Sequence, residues 1–202
     1  MAKKKGKKNA KKRRQQRRRR ALLIALALIV IAAGVFVASR LLPPRDGNPR
    51  AQVTFAGGKK MTLVLYPASA PESAAAFIDL ANSGYYDGLT LTKSGPCLLA
   101  EGETLPYTVK GEFADNGFVN PVSHEKGVIG LTRRTAYNSA SGGFYLLTED
   151  APYLNGSNAA FGRVIKGMEL LDKLAGGKQS PVIETIRVNT YGRTYEYEKH
   201  AK

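Results

Sequence analysis

The sequence predicts a mainly β fold: an antiparallel barrel closed on itself, with a helix at each end, behind one membrane-spanning helix. Three observations carry this reading. Residues 51–202 alternate many short strand-like runs with only two helical stretches. Residues 21–38 form an 18-residue run of Ala, Leu, Ile, Val, Phe and Gly alone. The basic excess lies at one end. Of 31 Lys and Arg and 16 Asp and Glu, residues 1–50 hold 16 bases and one acid, Asp46, which leaves 15 of each in residues 51–202. The net charge of +15 therefore describes a basic leader on a neutral domain. A neutral body argues against nucleic acid as its partner.

Residues 1–20 carry like charges and no large apolar side chain, which predicts a disordered leader. Residues 21–39 read as a transmembrane helix, because 18 apolar residues at ~1.5 Å each cover ~27 Å, close to the hydrocarbon thickness of a bilayer. The alternatives are a buried core helix, which would keep one polar face, and a cleaved signal peptide. The latter has a shorter apolar region and a small-residue cleavage site, where this chain has Ser39-Arg40. The positive-inside rule puts the leader in the cytoplasm and the domain outside. Beyond setting topology, the leader is suited to anionic lipid. RNA is a more remote option. Residues 40–50, rich in Pro and ending in Gly47-Asn48, form a linker.

In the domain, residues 52–55 and 61–66 pair around Gly57-Gly58-Lys59. Residues 71–83 form a helix: Pro71 suits its first position, Ala74, Phe77, Ile78 and Ala81 share a face, and Gly84 follows its end. Asp87-Gly88 is a turn. Strands follow over residues 89–93, 128–132, 144–147 and 160–165, then a short helix over 168–174 that stops at Gly176-Gly177. Residues 182–191 form the last strand, with Ile186 and Val188 facing one way and Thr185 and Arg187 the other. Tyr191, Tyr195 and Tyr197 either extend it or fray. The expected core joins Phe55, Leu63, Leu65, Phe77, Ile78, Ile129, Leu131, Phe144, Leu146, Phe161, Val164 and Ile186.

Several chemistries get no support. There is no G-x-x-x-x-G-K-[ST], G-x-S-x-G or H-E-x-x-H string. The single cysteine, Cys97, excludes an internal disulfide and reads as a small apolar residue. His124 and His200 are too far apart for a helical metal pair, and His124 reads as structural. Glu149-Asp150 reads as a solvated acidic pair.

Several strings resemble the cyclophilin family of peptidyl-prolyl cis-trans isomerases. They are Leu65-Tyr66-Pro67-Ala68-Ser69-Ala70-Pro71-Glu72, Phe77-Ile78-Asp79-Leu80-Ala81-Asn82-Ser83-Gly84-Tyr85-Tyr86-Asp87-Gly88, Val109-Lys110-Gly111-Glu112-Phe113, Ser123-His124-Glu125-Lys126-Gly127-Val128-Ile129, Asp150-Ala151-Pro152-Tyr153-Leu154-Asn155-Gly156 and Phe161-Gly162-Arg163-Val164. Their order and spacing suit a compact bacterial-type member and cover nearly all of residues 51–190. The resemblance implies an eight-stranded closed barrel with two capping helices, no cofactor and no metal. It implies proline-containing polypeptides as substrates.

The resemblance also implies a degenerate site. Where the family has Phe-His-Arg, this chain has Leu91-Thr92-Lys93, so Lys93 takes the catalytic position. The substrate-binding positions fall on Leu98, Leu99, Glu101, Thr132, Gly143, Tyr145, Tyr153, Leu154 and Asn158. Lys93 keeps a positive charge without the planar guanidinium fork, and Glu101 is placed to pair with it. Gly143 replaces a side-chain amide. Tyr145 brings a hydroxyl that needs a partner if buried, so Tyr145→Phe is expected to be tolerated or helpful. The implied function is a membrane-anchored isomerase acting on exported proteins. The alternative is a non-catalytic barrel that binds a peptide or protein.

Overall fold

The computed structural model of the chain describes residues 44–202 and, in isolation, Ile29. The leader, the 21–39 span and the first part of the linker lie outside the described residues. Among the described residues, no helix is long and apolar enough to cross a membrane. The compact unit is Asp46–Lys202. It starts before the expected boundary because the Pro49 carbonyl accepts the Leu65 amide at 3.1 Å and Arg50 pairs with Asp46 at 2.8 Å.

Ten strands and two helices follow in order. They are β1 (Arg50–Phe55), β2 (Lys59–Leu65), α1 (Pro71–Asn82), β3 (Leu91–Ser94), β4 (Cys97–Ala100), β5 (Tyr107–Thr108), β6 (Val128–Leu131), β7 (Phe144–Leu147), β8 (Ala160–Lys166), α2 (Met168–Gly176), β9 (Ile183–Asn189) and β10 (His200–Ala201). Eight strands form one antiparallel sheet in the order β3-β4-β7-β6-β8-β2-β1-β9. The sheet curls into a half-barrel, and the expected closed barrel is corrected. Its end strands β3 and β9 form no ladder and meet through one bridge, Thr90 to Val182. Pro181 ends the pairing there, since it has no N–H to donate; its carbonyl accepts the Leu91 amide at 2.7 Å.

The alternation of apolar residues in β1, β2, β8 and β9 turns one face of the sheet inward. α1 closes over that face. Pro71 sits in its first turn, and its orphan N–H groups find a carboxylate: the Glu72 and Ser73 amides donate to Glu112 at 2.9 and 2.8 Å. Burial pushes the Glu112 carboxyl above its ordinary range, while these bonds pull it down. Every residue of the expected core is buried in one cluster. At its centre Phe77 meets Phe161, Tyr86 and Phe144 with ring centroids 5.1, 5.3 and 5.6 Å away.

Three strands were not expected. β4 is a four-residue run behind a two-residue turn at Gly95-Pro96, too short for alternation to reveal. β5 and β10 have two residues each and pair only with each other. The tyrosine-rich segment therefore neither extends β9 nor frays. The chain turns at Tyr191 and Gly192, both at positive φ (54° and 80°), and returns past α1 to β5.

Candidate functional site

The site is built on the outer face of β4, β6 and β7. Residues i and i+2 of a strand share a face, so Cys97, Leu99 and the following Glu101 point the same way. Across the ladder Leu99 faces Tyr145 and Cys97 faces Leu147, which puts Gly143, Tyr145 and Leu147 on that face too. One end of the face is apolar: Tyr145, Leu147, Val128, Ala151 and Ala160 are buried there, with Leu99, Leu154, Val122 and Cys97 half-buried around them. The other end opens into a cavity of about 220 Å³ lined by Glu101, Gly102, Thr104, Thr132, Arg133, Arg134, Ser139, Ser141 and Gly143.

Two close approaches shape this face. A Cβ at Gly130 would lie 2.1 Å from the Tyr145 hydroxyl, so the phenol occupies the space a side chain would fill. A Cβ at Gly143 would lie 2.3 Å from Thr132 Oγ1, so the threonine hydroxyl stands where a residue-143 side chain would start.

The Tyr145 hydroxyl has a partner. It lies 2.7 Å from His124 Nε2, with the two residues 3 % and 2 % exposed. Asn155 Oδ1 accepts the His124 amide at 2.8 Å and lies 2.9 Å from Nδ1. This makes Nδ1 the protonated nitrogen, and Nε2 accepts the tyrosine O–H. Burial holds the His124 pKa below its usual value and pushes the Tyr145 phenol well above its own. A neutral imidazole satisfied on both nitrogens is a structural group, as its sequence position indicated.

Of the sequence-derived residues, Glu101, Thr132 and Gly143 meet at the cavity, and Leu99, Tyr145 and Leu154 meet in the apolar cluster. Leu98 belongs instead to the interior core. Tyr153 is 67 % exposed on a short 3-10 turn, and Asn158 lines a separate small pocket with His124 and Asn155. Lys93 does not line the cavity; its Nζ donates to the Ala175 carbonyl of α2 at 3.0 Å. The expected Lys93–Glu101 pair does not form among the described residues. The tight Gly95-Pro96 turn sets Lys93 opposite Leu98 and Leu91 opposite Ala100. Glu101 thus lies three positions beyond Leu98, ~10 Å along the strand.

Two arginines were missed. Arg133 is engaged through two of its three nitrogens: Nε donates to Ser157 O at 2.9 Å, Nη1 to Arg134 O and Thr135 O at 2.9 and 3.2 Å, and the guanidinium lies over the Phe113 ring at 5.1 Å. Arg134 lines the cavity, and its guanidinium has no hydrogen-bond or ion-pair partner among the described residues. The signal for both was a pair of adjacent cations directly after Thr132, in a domain otherwise balanced in charge. Asp150 accepts the Lys126 amide at 2.8 Å, so it braces a turn. Burial raises the Cys97 thiol pKa, which makes a poor nucleophile.

Comparison with known proteins places these observations. The family model described as cyclophilin type peptidyl-prolyl cis-trans isomerase/CLD matches residues 50–193. Peptidyl-prolyl cis-trans isomerase B of Bacillus subtilis is 33% identical over 139 residues, which cover 65% of this chain and 92% of that protein. A peptidyl-prolyl cis-trans isomerase of Helicobacter pylori is 29% identical over 136 residues, covering 62% of this chain and 79% of the relative. Among solved structures, a Cryptosporidium parvum cyclophilin type isomerase superposes with a TM-score of 0.60 at 19% identity, over 70% of this chain and 98% of its own. The same protein crystallised in the presence of the dipeptide Ala-Pro gives 0.58 at 18% identity, over 69% and 98%.

Proposed function

Since this chain belongs to the cyclophilin family of peptidyl-prolyl cis-trans isomerases, we propose that its substrate lies along the outer face of β4, β6 and β7, with the prolyl ring on the half-buried Leu99 and Leu154 and the preceding segment in the polar cavity. The enzyme catalyses rotation about X–Pro bonds. The amide resists that rotation by ~18–20 kcal/mol because the nitrogen lone pair is delocalised. In the twisted state the lone pair returns to the prolyl nitrogen. A donor aimed there stabilises the transition state more than either ground state.

Arg134 is the donor in this proposal. The observation that supports it is its place in the wall of the cavity with no competing partner, whereas Arg133 is committed to carbonyls and Lys93 to Ala175. Arg133 acts as a brace that fixes the backbone from which Arg134 projects. Thr132 and Gly143 shape the cavity floor, and Glu101 disfavours acidic side chains on the substrate.

The test is a proline-isomerisation assay on the purified full chain in mild detergent, beside the Bacillus enzyme. Arg134→Ala is expected to lower kcat/KM by ~100-fold, the scale of one lost transition-state donor, and Lys93→Ala to have little effect. The reverse pattern would return the catalytic role to Lys93, as the strand position alone implied.

The proposal extends to location. The leader and the apolar run support a single-pass protein with a cytoplasmic N-terminus and an extracytoplasmic domain, acting on proline-containing segments of exported proteins. Anionic lipid is the leader's additional partner. Protease added to intact cells should remove the domain and spare the leader. A shortened form released into the medium would identify the apolar run as a cleaved signal.

A further inference from the structure

The family match ends at residue 193, yet the nine residues that follow are firmly placed. They run from the end of β9 across α1 to the loop that walls the active-site cavity. Tyr197 donates its hydroxyl to Asp79 of α1 at 2.9 Å, and the Tyr107 hydroxyl lies 2.9 Å from the same Tyr197 oxygen. Because Tyr197 spends its proton on the carboxylate, Tyr107 is the donor to Tyr197. The Lys199 ammonium lies 4.9 and 5.0 Å from the Tyr107 and Tyr197 ring centroids and 3.5 Å from Asp79. The Glu198 amide donates to Glu72 of α1 at 2.7 Å. β10 then pairs with β5, His200 opposite Thr108 and Ala201 opposite Tyr107.

The loop held in this way carries Glu101, Gly102 and Thr104, one wall of the cavity. The same stretch has further fastenings: the Tyr85 hydroxyl donates to the Glu103 carbonyl, Ser141 of the opposite cavity wall donates to Tyr107 O at 3.1 Å and lies 3.4 Å from Leu105 O, and the Val109 amide donates to the Ala140 carbonyl at 2.8 Å. The Lys202 ammonium donates to that same Leu105 carbonyl. A four-residue hydrogen-bonded ladder of two-residue strands has little stability of its own. It persists because the segment is tied to α1, whose apolar face is locked in the core.

We propose that residues 194–202 act as a strap that positions the 101–105 wall of the substrate cavity against α1, with Tyr197 and Lys199 as positioning residues for substrate binding. The proposal rests on the reading of that cavity as the substrate site. The strap touches none of the residues assigned to transition-state stabilisation. Its loss therefore weakens binding of ground state and transition state alike, which raises KM and leaves kcat nearly unchanged.

The experiment uses the full chain in four forms: deletion of 194–202, Tyr197→Phe, Lys199→Ala and Lys199→Arg. Each is measured by amide hydrogen exchange and by isomerisation kinetics on a proline peptide. The expected result is exchange ~10-fold faster at residues 102–108 in the deletion, with the amides of β6, β7 and β8 unchanged, because local opening is separable from global unfolding. KM rises by ~5-fold with kcat within about two-fold. Tyr197→Phe and Lys199→Ala give part of this change, and Lys199→Arg restores it by keeping the cation over the rings. Unchanged exchange at 102–108 overturns the strap. Faster exchange spread evenly over the domain also overturns it, since the tail would then be merely structural. Faster local exchange with unchanged KM, alongside an active-site loss in Arg134→Ala, overturns the link to binding while the cavity assignment stands. If Arg134→Ala leaves activity intact, the cavity reading fails and the binding role of the strap falls with it, whatever the exchange shows.

Discussion

Replacing Tyr145 with Phe removes one oxygen from the interior of the site, and the structure reverses what the sequence alone implied. An apolar wall would seem to welcome the change. But the hydroxyl is bonded to His124 Nε2 at 2.7 Å, and both residues are nearly inaccessible. The phenol oxygen also sits where Gly130 offers no side chain, so its removal leaves a gap that no neighbouring residue fills. The loss is one buried donor and an orphaned ring acceptor, which costs ~1–3 kcal/mol. For a domain of this size each kcal/mol lowers Tm by roughly 2–4 °C. The measurement is urea unfolding of wild type, Tyr145→Phe, His124→Ala and the double variant. The cycle should return a favourable coupling of at least ~0.5 kcal/mol. A Tyr145→Phe protein as stable as wild type, with additive single effects, would show that the bond contributes nothing and that the apolar-wall argument was right.

Three further outcomes follow from the same geometry. Phe77→Ala should destabilise the domain by ~3–5 kcal/mol, because its ring is fully buried among Tyr86, Phe144 and Phe161; denaturant midpoints measure it, and a loss under 1 kcal/mol would contradict α1 as the plug of the core. Burial depresses the folded-state pKa of His124, so the unfolded chain takes up the proton first. That contribution to stability is complete above about pH 6.5 and is lost as the pH falls below it, a slope that His124→Gln should flatten in urea titrations at pH 7.5 and 5.5. Gly143→Gln alone should lower both stability and activity, since its Cβ would meet Thr132 Oγ1 at 2.3 Å; Thr132→Ala added to it should recover stability.

The parts of the molecule that were legible in the sequence are those fixed by local pattern. α1 shows its 3.6-residue face and its Pro71 start, and β9 alternates from Thr185 to Val188, so Ala74, Phe77, Ile78, Ala81, Ile186 and Val188 were named in advance, while Ala75, Leu80 and Ile183 were not. The parts that were not legible depend on pairings between distant segments. β4 is too short to announce itself, and β5 and β10 exist only because residues some ninety positions apart meet, which no local period encodes. The closure of the barrel failed at Pro181, a residue whose lack of an amide proton is local but whose position opposite Leu91 is not. The site divides in the same way. Thr132, Gly143 and Glu101 were found because the order of the strings carried them. That the Lys93 ammonium reaches Ala175 was not legible, because strand register, set by the Gly95-Pro96 turn, decides which way it points. Arg134, the donor proposed above, differs from its neighbour only through the three carbonyls that Arg133 holds, which the sequence does not show.

Two pairs of residues at the site are coupled through shared volume. Tyr145 is compatible with the sheet because residue 130 is glycine and because His124 receives the hydroxyl. Thr132 is compatible because residue 143 has no side chain. Each pair fills one volume from the other side of the face. A single substitution in either direction leaves a clash or a hole, and interiors near crystal packing density tolerate neither. Each pair keeps the outer face of the sheet close-packed. The polar cavity opens beside Thr132 and Gly143, with Arg134 in its wall. In the proposed mechanism a donor that reaches the prolyl nitrogen from the β6–β7 loop meets the same electrostatic requirement as one from β3. That requirement, one cation beside an apolar seat for the ring, is all the reaction asks of the protein.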